Sequence, residues 1–125
     1  MLWSDVSLRC LIVDDNPLFG DEARSLLEHE GVSVVGVASS GDEAARLAEE
    51  LRPDLALVDI RLGEESGFDV ARLLAHDGKA RAPAVIFVST YDEREYSSRI
   101  AATTALGFIP KTRLSAERIR ELLDD

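Results

Sequence analysis

Five short apolar runs alternate along this chain with longer segments in which apolar residues recur at helical spacing. The runs cover residues 8–13, 32–38, 55–59, 85–89 and 107–109. The middle runs are almost continuously apolar, which is typical of strands covered by helices on both faces of a parallel sheet. Repeated strand–helix units favour right-handed crossovers in one sheet. We therefore predict an α/β fold, a doubly wound five-stranded parallel sheet with five helices.

Capping residues stand ahead of all five helical segments, where a short polar side chain can bond the free backbone N–H groups. These residues are Asn16, Ser40, Ser66, Thr90 and Ser115. Pro17 follows the first cap, as is usual at the first helical position. Glu43 and Glu93 each lie three residues after a cap, which is the spacing of a capping box.

The first helical segment shows the expected amphipathic pattern. Phe19, Ala23, Leu26 and Leu27 fall on one face, and Gly31 is expected to end the helix. We predict that this face packs against the sheet.

The charge of the chain restricts its partners. The formal net charge is −10, from 24 acidic and 14 basic residues. Direct, sequence-independent binding to nucleic acid needs a basic surface, and so does docking on anionic lipid. We therefore expect neither nucleic acid nor membrane as a direct partner, whereas cations and basic protein surfaces are compatible with this charge.

Length and cysteine content fit one compact unit. At 125 residues we expect a single domain over 1–125, with its core at about 8–123 and no output domain. No apolar run reaches the roughly 20 residues of a membrane helix, and the N-terminus lacks signal-peptide features. Cys10 is the only cysteine and lies in an apolar run, so we expect a buried, inert thiol and a cytoplasmic location.

Polar residues follow the predicted strands in a systematic way. Asp14 and Asp15 follow the first strand, Asp59 ends the third, Ser89 ends the fourth, and Lys111 follows the fifth. In a doubly wound sheet, ligands bind beyond the carboxyl ends of the strands. Three carboxylates can approach each other there only if the first and third strands are neighbours, so we predict the order 2-1-3-4-5.

This set of side chains suggests metal and phosphoryl chemistry. Oxygen ligands without histidine or thiolate suit a hard cation such as Mg²⁺, which would offset the repulsion within the acidic pair. A lysine and a hydroxyl beside such a site could bind phosphoryl oxygens, and Asp59 could act as a nucleophile. Taken singly, the acidic pair could be a solvated turn, Ser89 a helix cap and Lys111 a surface lysine.

The same residues resemble the receiver domain of two-component response regulators. The acidic pair Asp14–Asp15, Asp59 in LVDIRL, Ser89 in VIFVST and Lys111 in GFIPK match its motifs in order. The resemblance extends from about residue 8 to 123. It implies a flavodoxin-like fold and a phosphorylation-dependent signalling switch, in which a histidine kinase or phosphotransfer protein phosphorylates Asp59.

The resemblance also implies residue roles that the spacing alone does not give. Asp15 would ligate Mg²⁺ directly and Asp14 mainly through water, with the backbone carbonyl of Arg61 as a further ligand. Ser89 and Phe108 would form the switch, although Phe108 could equally be an ordinary core aromatic. Partner binding or homodimerisation would depend on phosphorylation, and the output partner is not specified.

Two loop positions depart from the family pattern. Receivers often carry proline four residues after the acceptor, where this chain has Gly63. They usually carry proline after the lysine in a cis peptide, whereas Thr112 follows Lys111 here. A non-proline cis bond costs about 3 kcal/mol, so either isomer is open at the sequence level.

Three other functions share parts of this pattern. A receiver-like docking module could act without phosphorylation, and the altered loops keep that reading open. A haloacid-dehalogenase-type phosphohydrolase needs a second acid at the position of Arg61 and a cap domain for which 125 residues leave no room. A flavodoxin needs a phosphate loop after the first strand, and none is present. We therefore expect a signalling phosphoacceptor, not a turnover enzyme.

Overall fold

The structure is a computed structural model, and it describes residues 8–75, 82–90 and 96–124. The elements in chain order are β1 (Arg9–Val13), α1 (Pro17–His29), β2 (Ser33–Ala38), α2 (Gly41–Leu51), β3 (Leu55–Asp59), β4 (Arg61–Leu62), β5 (Glu65–Ser66), α3 (Gly67–Ala75), β6 (Ala84–Ser89), α4 (Ser97–Ala101), β7 (Gly107–Pro110), a 3-10 turn (Lys111–Arg113) and α5 (Ala116–Asp124). None of the helices within these ranges is long and apolar enough to span a membrane.

Within the described ranges, five strands form one parallel sheet in the order β2-β1-β3-β6-β7. Numbered by the five predicted strands, this is the order 2-1-3-4-5, so the predicted topology is confirmed. The register pairs Val13 with Val58, Asp59 with Val88, and Ser89 with Pro110. The carboxyl ends of four neighbouring strands therefore meet at one edge of the sheet.

Both faces of the sheet are buried, which explains the near-continuous apolar runs. Leu11 and Val13 of β1 belong to one core cluster, and Cys10 and Ile12 belong to the cluster on the opposite face. Every residue of β3 is buried. Burial raises the pKa of the Cys10 thiol to about 12, so this thiol is protonated and unreactive at neutral pH, as the sequence predicts.

The helix starts agree with the predicted caps, with one change of partner. The Asn16 side chain accepts a hydrogen bond from Leu18 N at 3.0 Å, and the Ser40 hydroxyl accepts one from Glu43 N at 3.2 Å. The Glu43 carboxylate accepts from the backbone of Ser39 at 2.8 Å, not from Ser40. In the predicted capping box the Glu43 carboxylate would accept from Ser40 N, and it accepts from Ser39 N instead. The hydrogen bond from Ser39 N lowers the pKa of Glu43.

The later caps fall partly inside the described ranges. The hydroxyls of Ser66 and Ser115 accept from Phe68 N and Arg118 N, each at 3.1 Å, at the starts of α3 and α5. Thr90 is exposed, and the rest of its predicted capping box lies in 91–95, outside the described residues. Most of residues 76–83 (HDGKARAP), the nearest thing to a linker in this sequence, also lies outside them.

One prediction about α1 is wrong. The helix buries Gly20, Ala23 and Leu27, and Gly31 follows it with a positive φ of 94°. Leu26, which the periodicity placed on the same face, is 38% exposed. Leu26 therefore lies at the margin of the apolar stripe that Ala23 and Leu27 bury.

A small hairpin after β3 was not predicted. β4 and β5 pair antiparallel through a turn at Gly63, whose φ is 58°. The Glu65 carboxylate accepts a hydrogen bond from Gly41 N at 2.9 Å. The hairpin is thereby tied to the N-terminus of α2, where free N–H groups favour a negative charge.

The chain then passes very close to itself at Gly67, the first residue of α3. Gly67 N donates to Ile60 O at 2.7 Å, and a Cβ at position 67 would overlap the backbone oxygen of Asp59. No flexible side chain could move aside to relieve that overlap.

Gly67→Ala is therefore expected to lower the free energy of unfolding by about 3 kcal/mol, because the backbone would have to shift. The matched control is Gly20→Ala, whose new methyl meets only a Val37 methyl at 3.2 Å and gains helix propensity. Urea unfolding of both variants measures the difference. Equal stabilities of the two variants would contradict the predicted close approach at Gly67.

Candidate functional site

Three carboxylates gather at the carboxyl edge of the sheet. Asp14 and Asp15 follow β1 and Asp59 ends β3, and one oxygen from each lies within 4.8 Å of the others. Asp14 and Asp59 are 2% and 7% exposed, whereas Asp15 faces solvent. The structure thus brings together the three acids that the sequence predicted, because β1 and β3 are neighbours.

Asp14 is held from two sides. Its Oδ1 accepts a hydrogen bond from Asn16 N at 2.8 Å, and its Oδ2 lies 2.6 Å from Lys111 Nζ. Asn16 therefore has two tasks, since its side chain caps α1 while its N–H fixes the neighbouring carboxylate. A buried carboxylate needs such partners, because an unpaired buried charge is strongly unfavourable.

Lys111 joins the two buried carboxylates. Its Nζ lies 3.1 Å from Asp59 Oδ2 as well as 2.6 Å from Asp14 Oδ2, and its side chain is 10% exposed. The described part of the chain contains no cis peptide bond, so Lys111–Thr112 is trans. Lys111 reaches the acids from the 3-10 turn after β7 without the proline that usually follows the lysine in this pattern.

Burial and mutual charge perturb both groups of the ion pair. Burial, together with the charge of Asp14, raises the pKa of Asp59, and Lys111 only partly opposes this. Burial alone would lower the pKa of Lys111, but the hydrogen bond to Asp14 and the charges of Asp59 and Asp14 outweigh it and raise that pKa. The ammonium is therefore retained, and it is the cation on which both acids depend.

The loop after Asp59 passes close to the acids. Arg61 N donates to Asp59 Oδ1 at 3.2 Å, and the exposed Arg61 side chain donates through Nε to the Tyr96 hydroxyl at 3.1 Å. A Cβ at Gly63 would lie 3.3 Å from Asp15 Oδ2. Glycine at this position lets the hairpin turn beside the acidic pair where the family pattern has proline.

The two predicted switch residues occupy neighbouring strands. Ser89 ends β6 and is 1% exposed, whereas Phe108 in β7 is half-buried and packs against the cluster that contains Phe87. In the register, Phe108 is opposite Phe87 and Ser89 is opposite Pro110. The hydroxyl therefore lies at the acidic edge of the sheet, and the aromatic ring lies further from that edge.

The donor set fits a hard divalent cation such as Mg²⁺. It consists of carboxylate oxygens without thiolate or imidazole, and one of the acids faces solvent, from which water ligands can come. Three carboxylates and one ammonium leave an excess of negative charge when all are ionised. A divalent cation would offset that excess.

Sequence reasoning missed one residue of this site. The ring centroid of Phe19 lies 4.4 Å from Lys111 Nζ. The helical spacing assigned Phe19 to the core face of α1, and it does pack there. The available signal was its position in the first helical turn after the acidic pair.

Asp59→Asn is expected to raise the free energy of unfolding by on the order of 1 kcal/mol at pH 7 in chelator. The folded pKa of Asp59 is raised above its ordinary value of 3.8, so the folded state binds the proton more tightly. The contribution of Asp59 to the free energy of unfolding of the wild-type protein therefore falls as the pH rises from about 3.8 through the folded pKa of Asp59.

The gain in the free energy of unfolding of Asp59→Asn over wild type should shrink toward pH 4. Urea unfolding at several pH values measures this gain. Asp69→Asn is the control, since the side chain of Asp69 is 71% exposed. A less stable Asp59→Asn protein at pH 7, or a gain that does not vary with pH, would contradict the charge repulsion inferred at Asp59.

Comparison with known proteins agrees with this geometry. A family model described as "Response regulator receiver domain" matches residues 10–124. The chain is 33% identical over 117 residues to the sensory transduction protein LytT of Bacillus cereus, covering 93% of this chain and 46% of that protein. It is 31% identical over 127 residues to the transcriptional regulatory protein PdtaR of Mycobacterium tuberculosis, covering 94% and 60%.

The chain therefore spans about half the length of these curated relatives. Among solved structures, it is similar to the signal receiver domain of the putative response regulator NarL from Mycobacterium tuberculosis. The TM-score is 0.78 at 29% identity, over 94% of each chain. Sequence, fold and acidic edge agree, and the chain belongs to the receiver-domain family of two-component response regulators.

Proposed function

We propose that this domain is a signalling switch that accepts a phosphoryl group on Asp59 from a sensor histidine kinase or phosphotransfer protein. One observation carries the proposal: Asp59 lies in a cluster with two further carboxylates, and its Oδ2 is 3.1 Å from Lys111 Nζ. A buried acid with a raised pKa, one cationic partner and a potential metal site is a typical functional arrangement.

In the proposed reaction, an Asp59 oxygen attacks the phosphorus of the donor. An oxygen–phosphorus bond forms as the bond from phosphorus to the donor nitrogen breaks, and the electron pair leaves with the donor. Lys111 exchanges its contact with Asp59 for a phosphoryl oxygen, and the Ser89 hydroxyl donates a hydrogen bond to another.

Mg²⁺ would be held by Asp14, Asp15, Asp59 and the backbone carbonyl of Arg61, and when bound it would supply positive charge that offsets the crowding of anionic oxygens. The contribution of the chain itself is to fix the acids at the ends of adjacent strands and to hold the ammonium between them. Hydrolysis of the aspartyl phosphate would return the switch to its initial state. The domain would thus catalyse only its own phosphorylation and dephosphorylation.

We further propose that phosphorylation is transmitted through Ser89 and Phe108. Movement of the buried hydroxyl toward the phosphoryl group would vacate space, and the half-buried ring could change rotamer to enter it. The surface formed by α4, β7 and α5 would change, and with it the binding of an effector, an output domain or a second copy of the chain.

Incubation with a small-molecule phosphodonor is expected to add one phosphoryl group to the wild-type chain in Mg²⁺ and little in chelator. Asp59→Asn should abolish labelling because the nucleophile is lost. Asp15→Asn should slow it by weakening metal binding. Intact-protein mass spectrometry measures all three.

Asp42→Asn is the matched control, because Asp42 is an exposed acid in the first turn of α2. It should label like wild type. Labelling that persists in Asp59→Asn, or that is equally fast in chelator, would rule out the proposed chemistry.

Beryllofluoride with Mg²⁺, which mimics a phosphoryl group on a carboxylate, is expected to shift backbone amide resonances across α4, β7 and α5 as well as near Asp59. In Ser89→Ala the shifts near Asp59 should remain while those on the distant surface diminish, because the hydroxyl that transmits the change is absent. Shifts confined to the acidic edge in the wild-type protein would refute the switch.

A further inference from the structure

Phe19 lies against the Lys111 ammonium at the acidic edge. It is half-buried in the first turn of α1, and its ring centroid is 4.4 Å from Lys111 Nζ. The cap at Asn16 and the proline at position 17 set where the helix begins, and so where this ring is placed. A cation within about 6 Å of an aromatic centroid is attracted by the negative potential of the ring face.

The other two partners of Lys111 are both engaged elsewhere during the proposed reaction. Nζ contacts Asp14 at 2.6 Å and Asp59 at 3.1 Å. Metal binding would engage oxygens of both acids, and phosphorylation would convert the Asp59 carboxylate into an acyl phosphate. The ring of Phe19 does not change in either step, so it offers the ammonium a constant partner.

The burial of Lys111 strengthens the contact between its ammonium and the Phe19 ring. The Lys111 side chain is only 10% exposed, so little water competes with the ring for the ammonium. A desolvated cation–π contact is stronger than one at an exposed site. An ammonium on a flexible four-carbon chain would otherwise be free to leave the site once its carboxylates are engaged elsewhere.

We propose that Phe19 is a positioning residue that holds the Lys111 ammonium over the acidic edge while it exchanges carboxylate partners for a phosphoryl oxygen. This inference rests on the proposed phosphorylation of Asp59. Phe19 acts through Lys111 and does not itself contact the reacting atoms.

The chain offers a matched comparison at Phe68. The guanidinium carbon of Arg99 lies 4.3 Å from the Phe68 ring centroid, almost the same separation as at Phe19. That cation is exposed on α4 and is not part of the acidic edge. Phe68 is buried and packs on Phe87, so a change at Phe68 tests ring packing without affecting Lys111.

The experiment replaces Phe19 in the full chain by phenylalanines with one, two and three ring fluorines, which weaken the ring-face potential with little change of shape. The same series at Phe68 is the control. The first readout is the labelling rate with a small-molecule phosphodonor in Mg²⁺, at saturating and limiting donor.

The second readout is the order parameter of the Lys111 Cε methylene in the unphosphorylated protein, measured by NMR. The chain has two lysines, so Lys79→Arg assigns the signal. This measurement does not depend on phosphorylation.

Each added fluorine at Phe19 should lower the labelling rate, reaching about three- to tenfold for three fluorines, and should lower the Lys111 order parameter in parallel. The Phe68 series should leave both nearly unchanged. A flat rate across the Phe19 series in a protein that labels normally, or an unchanged Lys111 order parameter, would overturn the proposal. If no protein labels, including wild type, phosphorylation of Asp59 fails as a function and the order parameter alone decides whether Phe19 positions Lys111.

Discussion

The repulsion among three carboxylates at one sheet edge is the constraint on which the rest of the site depends. Asp14 and Asp59 are buried there, and Lys111 is the cation that contacts both. Neither acid could be buried at this edge in ionised form without such a partner. The 3-10 turn that directly follows β7 therefore matters as much to the site as the strands that deliver the acids.

This repulsion lowers the stability of the folded protein but makes the site suitable for a cation. Burial and the charge of Asp14 raise the pKa of Asp59, which costs the resting protein stability at neutral pH. The same excess of negative charge suits a divalent cation. In the proposed function that cation would also offset the charge of a phosphoryl group. Gly67 fits this arrangement, because its backbone must approach Asp59 O closely for the loop after Asp59 to lead directly into α3.

Much of the fold and most of the site followed from the sequence. The apolar runs predicted the strands because a parallel sheet buried on both faces leaves little room for polar residues. The strand order followed from chemistry, since Asp14 and Asp59 can meet only if their strands are neighbours. Lys111 was found by its place after the last strand, and the structure puts it within 3.1 Å of both acids.

What the sequence did not predict depends on tertiary contacts. Helical periodicity cannot distinguish Leu26, at the margin of α1, from Leu27, which is fully buried. It cannot show that Glu65 reaches across to Gly41, because that bond joins residues 24 apart in the chain. It assigned Phe19 to the core, and only the position of Lys111 shows that the ring also faces a cation.

The most direct test of this charge balance is the free energy of unfolding of Lys111→Met with and without saturating Mg²⁺. The account predicts a loss of about 3 kcal/mol in chelator, because two buried carboxylates lose their cation. It predicts that Mg²⁺ restores most of the loss, whereas Arg46→Met, at an exposed surface pair, loses little and does not respond to Mg²⁺. A Lys111→Met protein as stable as wild type in chelator, or one that Mg²⁺ does not stabilise more than wild type, would contradict it.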